Sequence, residues 1–288
     1  MNFIHATLIR SAMLASIAIL CISPRSWSQS LYATSETKQE LVEVNISTGV
    51  VSVLYNVGSN PDSLIVDSLG GILYTVQKAG TVDRFDPSTG LNSVIASGFS
   101  YPRDLVLDPG GATLLVSNYN RGEIDRVNLA TGAVTPLLKG QHTVDGMAYD
   151  AQGDLFANVN HHTQIVQIDP NSGAILKTLL VVQNPLHPYY GLDGLTYDSY
   201  TGQLWATDVG TGANCLVEIP TDLSGFTLVQ VGSFLTPDGI ISDGNGNLYV
   251  GVNLSFVYQY NIPGNTITKK VRVASVDDVA LVPGTRAR

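Results

Sequence analysis

One short pattern recurs six times along the chain and limits what it can fold into. Its clearest copy is Val144-Asp145-Gly146-Met147-Ala148-Tyr149-Asp150, in which an acidic-small pair precedes an apolar run that ends in a second Asp. Asp193-Gly194-Leu195-Thr196-Tyr197-Asp198 and Asp238-Gly239-Ile240-Ile241-Ser242-Asp243 repeat it. Looser copies are Asp62-Ser63-Leu64-Ile65-Val66-Asp67, Arg103-Asp104-Leu105-Val106-Leu107-Asp108 and Asp277-Asp278-Val279-Ala280-Leu281-Val282. The last residues of the copies fall at 67, 108, 150, 198, 243 and 282, giving spacings of 41, 42, 48, 45 and 39. A period of this length with strand-like content means a propeller or a solenoid.

The segments between the copies share a grammar. After each apolar run comes a Gly-containing turn and a second strand, as in Leu73-Tyr74-Thr75-Val76 or Leu204-Trp205-Ala206-Thr207. A third strand alternates with period two, as in Ile165-Val166-Gln167-Ile168-Asp169, the mark of a half-buried strand. It runs into turns such as Asp86-Pro87-Ser88-Thr89-Gly90, where Pro presets φ, Asp and Ser bond the backbone and Gly takes the positive-φ position. A fourth strand follows. Four antiparallel strands in each of six repeats predict an all-β, six-bladed β-propeller. The first blade begins at its second strand, Leu31-Tyr32-Ala33-Thr34, and the chain ends in a lone first strand. The C-terminal strand is therefore expected to complete the first blade and remove the open edges.

Residues 1–28 read as a secretory signal: His5 and Arg10, an apolar run from Ala12 to Ile22, then Ser26-Trp27-Ser28. Eleven apolar residues are too few to span a hydrocarbon core of about 30 Å. Residues 29–288 form the propeller, and the expected location is secreted or periplasmic. Beyond the signal one cysteine remains, Cys215, so no internal disulfide can form. Removing Arg10 and Arg25 leaves 13 basic against 24 acidic residues, a balance of −11. That charge disfavours nucleic acid and anionic membranes as partners. No integral membrane segment is expected after cleavage, and the expected state is a monomer.

The copies built on Pro237-Asp238-Gly239-Ile240, Val144-Asp145-Gly146-Met147 and Leu192-Asp193-Gly194-Leu195 resemble the six-bladed propellers of the NHL, streptogramin-lyase-like and gluconolactonase type. The resemblance covers nearly all of the chain after the signal. It implies that the start of each first strand lines one mouth of a central channel. It also implies a divalent cation: lactonases of this type hold one with a Glu, an Asn and an Asp. Asp238 matches the Asp in its Pro-Asp-Gly setting, and Asp193 or Asp145 stands at the Asn position. The family's Glu-Gly-Pro has no counterpart. Streptogramin lyases use a catalytic His with Mg²⁺.

On this layout Asp62, Asp145, Asp193, Asp238 and Asp277 share the mouth with Arg103. Crowded carboxylates raise one another's pKa unless a cation intervenes, and Ca²⁺ or Mg²⁺ prefers oxygen ligands. Asp145, Asp193 and Asp238 are the expected metal ligands; caps on local turns are the structural alternative. The second Asp of each copy is expected to cap a hairpin. Asp238, His142 and His187 are the candidate proton-transfer groups. Asp62, Arg103, Asn118, Asn160, His161, Asp208, Asn253 and Asp277 are candidate ligand contacts. The expected function is an exported propeller with a channel-mouth ligand site, either a divalent-cation-dependent hydrolase (lactonase-like) or a lyase. A non-catalytic propeller binding a small molecule or protein there is the alternative.

Overall fold

The computed structural model describes residues 30–181, 191–209, 215–231, 236–253 and 255–283. The signal segment and His187 lie outside them. The first blade contains β1 (Ser30–Ser35), β2 (Glu40–Asn45) and β3 (Val51–Asn56). The second is β4 (Pro61–Val66), β5 (Ile72–Val76), β6 (Thr81–Asp86) and β7 (Leu91–Ser97). The third is β8 (Pro102–Leu107), β9 (Thr113–Asn118), β10 (Glu123–Asn128) and β11 (Val134–Leu138). The fourth is β12 (Val144–Tyr149), β13 (Leu155–Val159), β14 (Gln164–Ile168) and β15 (Ile175–Leu180). The fifth is β16 (Leu192–Asp198), β17 (Gln203–Asp208), β18 (Cys215–Pro220) and β19 (Thr227–Val229). The sixth is β20 (Pro237–Ser242), β21 (Asn247–Val252), β22 (Phe256–Asn261) and β23 (Thr266–Arg272). The last strand, β24 (Val276–Leu281), pairs with β1, so the first sheet reads β24-β1-β2-β3. Six four-stranded antiparallel blades result, closed by the C-terminal strand as the repeat predicts.

The core lies between blades. Six apolar clusters occupy the six blade interfaces. In one, Leu31, Ala33 and Val44 of the first blade pack on Tyr249 and Val257 of the sixth and Val276 of β24. Each blade thus buries its faces on its neighbours, which is why no blade is stable alone.

The repeated acidic-small pair has a local cause. In every blade the register between first and second strand slips by one residue at this pair. Asp145-Gly146, for example, lies between the pairings Val144↔Val159 and Met147↔Ala157, opposite the single residue Asn158. Such a bulge bends the strand and re-aims a side chain. The residues facing the six bulges are Thr34, Thr75, Ser117, Asn158, Thr207 and Gly251. Thr34, Thr75, Asn158 and Thr207 donate to the backbone carbonyls of Asp62, Arg103, Asp193 and Asp238 in the next blade. Ser117 donates to the Val144 carbonyl at 2.7 Å. Thr34, Thr75 and Thr207 also accept the N–H of the second bulge residue in their own blade. At the sixth position a Cβ on Gly251 would stand 2.9 Å from the Asp277 carbonyl, so no side chain fits. These polar links fix adjacent blades at the depth where the mouth residues project.

Candidate functional site at the channel mouth

Two layers of side chains arise from the bulges. The outer layer is Asp62, Arg103, Asp145, Asp193, Asp238 and Asp277; the next is Ser63, Asp104, Gly146, Gly194, Gly239 and Asp278. Arg103 is the centre of one half of the outer layer. Its Nη1 lies 2.8 Å from Asp145 Oδ2 and 3.8 Å from Asp193 Oδ1. The guanidinium stacks 4.4 Å from the Tyr119 ring centroid and 5.9 Å from that of Tyr101. Burial alone would lower its pKa, but Asp145, Asp193 and Asp62 hold it protonated.

The histidine that reaches this cluster is His162. Asn160, His161 and His162 have φ values of 56°, 60° and 64°, three successive left-handed residues in the β13–β14 loop. L-residues rarely adopt even one such conformation, and strain of this kind collects at functional sites. The turn brings His162 Nδ1 to 2.8 Å from the Leu192 carbonyl and 3.3 Å from Asp145 Oδ2. Nε2 lies 3.1 Å from the Tyr119 hydroxyl. With the Nδ1 proton directed at the carbonyl, Nε2 is an acceptor for Tyr119.

The other expected residues separate clearly. His142 is exposed and stacks on His161, ring centroids 5.2 Å apart, so the pair forms a rim outside the cluster. Of the histidines in this region, His162 reaches the cluster, while His142 and His161, expected for proton transfer and ligand contact, lie on the rim. Asn118 bridges Ser100 N and Asp125 Oδ2. Asn160 accepts from His142 N and donates to Gln141 and Gln164, holding its own loop. Asp208 is buried and accepts the Gly191 N–H at 3.2 Å. Asn253 does join the mouth, where it donates to Asp238 Oδ2.

Four of the mouth carboxylates, Asp62, Asp145, Asp238 and Asp277, have raised pKa values. Burial, then Asp193 beside it, pushes Asp145 up to about 7 against the pull of Arg103 and His162. Burial also lifts Asp277 to about 7, and its hydrogen bond to Asp238 limits the rise. Asp238 is raised by burial and by Asp193 and Asp277; Asp62 is raised by burial and by Asp277. Each faces the open channel on one side and protein on the others, so desolvation dominates.

The second layer holds a carboxylate pair that the repeat pattern passed over. Ser63 Oγ lies 2.9 Å from Asp104 Oδ1 and 2.7 Å from Asp278 Oδ2. One hydroxyl has one proton, so a proton on either carboxyl completes the chain Asp104–Ser63–Asp278. Burial raises Asp104 well above the carboxylate range and Asp278 to about 6. Opposite stand glycines because there is no room: a Cβ on Gly146 would sit 2.3 Å from the Asp193 carbonyl. The only signal for this layer was the Ser or Asp replacing Gly in three of the six copies.

Among the described residues, Asp145, His162 and Asp193 offer ligand atoms within 4.8 Å of one another. Asp238, expected as the third ligand, is not of this set. Two observations bear on the fit of a divalent ion there. The His162 Nδ1 faces a carbonyl, which a protonated nitrogen does and a metal ligand does not, and Arg103 already neutralises Asp145. The donor set in this arrangement suits the resident guanidinium better than a second cation.

Solved structures share this architecture. A nidogen/laminin complex matches over 89% of this chain and 98% of the other, with a TM-score of 0.73 and 14% identity. Virginiamycin B lyase from Staphylococcus aureus matches over 83% and 80%, at 0.62 and 16%. A catalytically inactive variant of that lyase with quinupristin matches over 90% and 94%, at 0.64 and 16%. No protein-family model and no curated protein matches the sequence. At these identities the likeness is one of fold: a six-bladed propeller of the NHL and streptogramin-lyase type.

Proposed function

We propose that this is an exported propeller whose channel mouth binds a small molecule and carries out hydrolase or lyase chemistry on it. The observation that carries the reading is the contact chain Tyr119–His162–Asp145–Arg103. It joins a base, a hydroxyl and a fixed positive charge within one opening. The remaining N–H donors of Arg103 polarise a substrate carbonyl, a role that needs no reorganisation because Asp145 and Tyr119 fix the guanidinium. His162 Nε2 takes a proton, directly or through Tyr119, since neutral imidazole is a base at physiological pH.

The test is a panel of lactones, aryl esters and quinupristin, each with Ca²⁺, Mg²⁺ or chelator. His162→Ala and Tyr119→Phe serve as controls. Turnover that falls by about 10²-fold in His162→Ala supports the acid–base role. If wild type binds members of the panel and converts none, the site is a binding site only. The likeness to the propeller of the nidogen/laminin complex favours that second reading, with a protein as ligand. Export is read from residues 1–28, and N-terminal sequencing of protein recovered outside the cytoplasm would show cleavage near Ser28.

A further inference from the structure

The other half of the mouth carries a feature that the acid–base chain leaves unused. A polar cavity of about 290 Å³ lies among the first, second and sixth blades. Its walls are Glu36, Asp62, Gln77, Asp238, Asn253 and Asp277, with the Tyr101 ring at one side and Arg103 and Asp193 at its border. The geometry points to a subsite for an organic cation, a primary ammonium or guanidinium group on the ligand that the channel mouth accepts.

Four observations converge on that chemistry. Among the described residues no salt bridge reaches the carboxylates of this half other than Asp193 at its border, since Arg103 Nη1 lies against Asp145 and Asp193. They are oriented rather than loose: Asn60 Nδ2 donates to Glu36 Oε1 at 2.9 Å, and Asn253 donates to Asp238. Gln77 is 4% exposed, lines the cavity, and its Oε1 has no hydrogen-bond partner among the described residues. A buried amide oxygen without a donor is destabilising, and a ligand N–H restores the bond. Tyr101 adds an aromatic wall, which favours an alkylated cation over a bare ion.

Size and spacing suit an organic cation here. The cavity exceeds the share of one water molecule, about 30 Å³, several times over. Among the described residues the set with three ligand atoms in mutual reach is Asp145–His162–Asp193, in the other half. An ammonium with a short carbon stem fills the space and reaches several acceptors separately. The inference rests on the proposed ligand site, but names what the reacting half does not: the group that anchors the ligand.

The experiment follows the side-chain amide signal of Asn253 by NMR during titration of the purified protein. The probes are n-butylammonium and n-butylguanidinium, with n-butanol as neutral isostere and CaCl₂ and MgCl₂ as separate arms. The cations should move the signal at concentrations where butanol does not. Asp277→Asn should weaken the response at least tenfold, and Gln77→Met, which keeps size and fold, several-fold. Equal effects of butanol overturn the subsite. So do Ca²⁺ or Mg²⁺ that bind there and exclude butylammonium, and so does unchanged affinity in both variants. His162→Ala keeps the subsite and its response, so failure of the catalytic reading and failure of this one give different results.

Discussion

The first strand of each blade carries an Asp at both ends in most copies, and the two ends behave as opposites. At the hairpin end Asp67 Oδ1 accepts the N–H groups of Leu69 and Gly71, each at 2.8 Å, and Oδ2 meets Arg84 Nε at 2.6 Å. Burial works against ionisation there, yet the bonds from Arg84 and the backbone hold the Asp67 pKa below its ordinary value. Asp150 and Asp243 cap their own turns in the same way. At the mouth end the backbone is committed to the bulge and to the neighbouring blade, so the outer carboxylates meet one another and one arginine. Thus the same residue in the same repeat is stabilised as an anion at one end and destabilised at the other. Ring symmetry is the cause: it spreads the hairpins around the outside and gathers the bulges on the axis.

Removing the mouth carboxylates of one blade wholesale has the largest effect. Deleting residues 276–288 takes away β24 with Asp277 and Asp278, a strand that ends at Leu281 without a hairpin Asp, and leaves β1 an open edge. The truncated protein should lose its cooperative thermal transition or associate. A retained midpoint and monomeric state would break the ring account. Next comes Arg103→Gln, which leaves Asp145 and Asp193 facing each other without a counter-charge. Losing one partner of a largely buried pair costs about 3–5 kcal/mol, and the partial exposure of Arg103 brings this nearer 2–3. The variant should be stabilised by Ca²⁺ or Mg²⁺ more than wild type, since the expected metal ligands are then free. Thermal melts with each ion and with chelator measure both effects.

Titration separates the ends by sign. Mouth carboxylates have raised pKa values, about 7 for Asp145 and Asp277 and about 6 for Asp278. Between pH 4 and 7 the folded state therefore binds more protons than the unfolded chain, and stability falls as pH rises through this window. Going from pH 7.5 to 5 should add on the order of 2 kcal/mol for each carboxyl raised to about 7, so at least ~5 °C in Tm. Asp67, with its lowered value, acts the other way: its contribution is present above the ordinary carboxylate range and is lost as pH falls through its folded pKa. Melting curves should show a maximum near pH 4–5. A midpoint that rises steadily from pH 5 to 7.5 would contradict the mouth electrostatics.

Much of this comparison was legible in the sequence. The period gave the blades, the unpaired last copy gave the closure, and equivalence of position put five Asp and Arg103 around one axis. The hairpin caps followed from Asp before a Gly-containing turn. What was not legible is contact between blades and the direction of loops. Nothing in Asn160-His161-His162 distinguishes the histidine that enters the channel from the one that stacks on the rim, because three left-handed residues decide it. The recurring Thr of the second strand, as in Thr75 and Thr207, was visible, but its partner is a carbonyl of the next blade. Asp104 and Asp278 share Ser63 although 174 residues separate them, and no local pattern announces that meeting.

The finest test applies one substitution at both ends. In Asp150→Asn the amide keeps a carbonyl oxygen to accept the Gln152 and Asp154 N–H groups, both now 2.9 Å from Asp150 Oδ1. Stability should change by less than about 0.5 kcal/mol, because the acceptor and not the charge does the capping. In Asp238→Asn the amide imitates the protonated carboxyl that the site favours. It can accept from Asn253 and donate to Asp277, while removing one of the charges that burial, Asp193 and Asp277 penalise. At pH 7.5 this variant should be more stable than wild type by about 1 kcal/mol, the equivalent of somewhat less than one pKa unit. The gain should shrink as pH falls towards 5, because the raised pKa lets wild type take up the proton itself. It should also come with weaker binding of n-butylammonium, since the lost charge belongs to the cation subsite. If Asp238→Asn is instead destabilising at both pH values, then the mouth Asp caps its turn as the hairpin Asp does, and the two ends are not different after all.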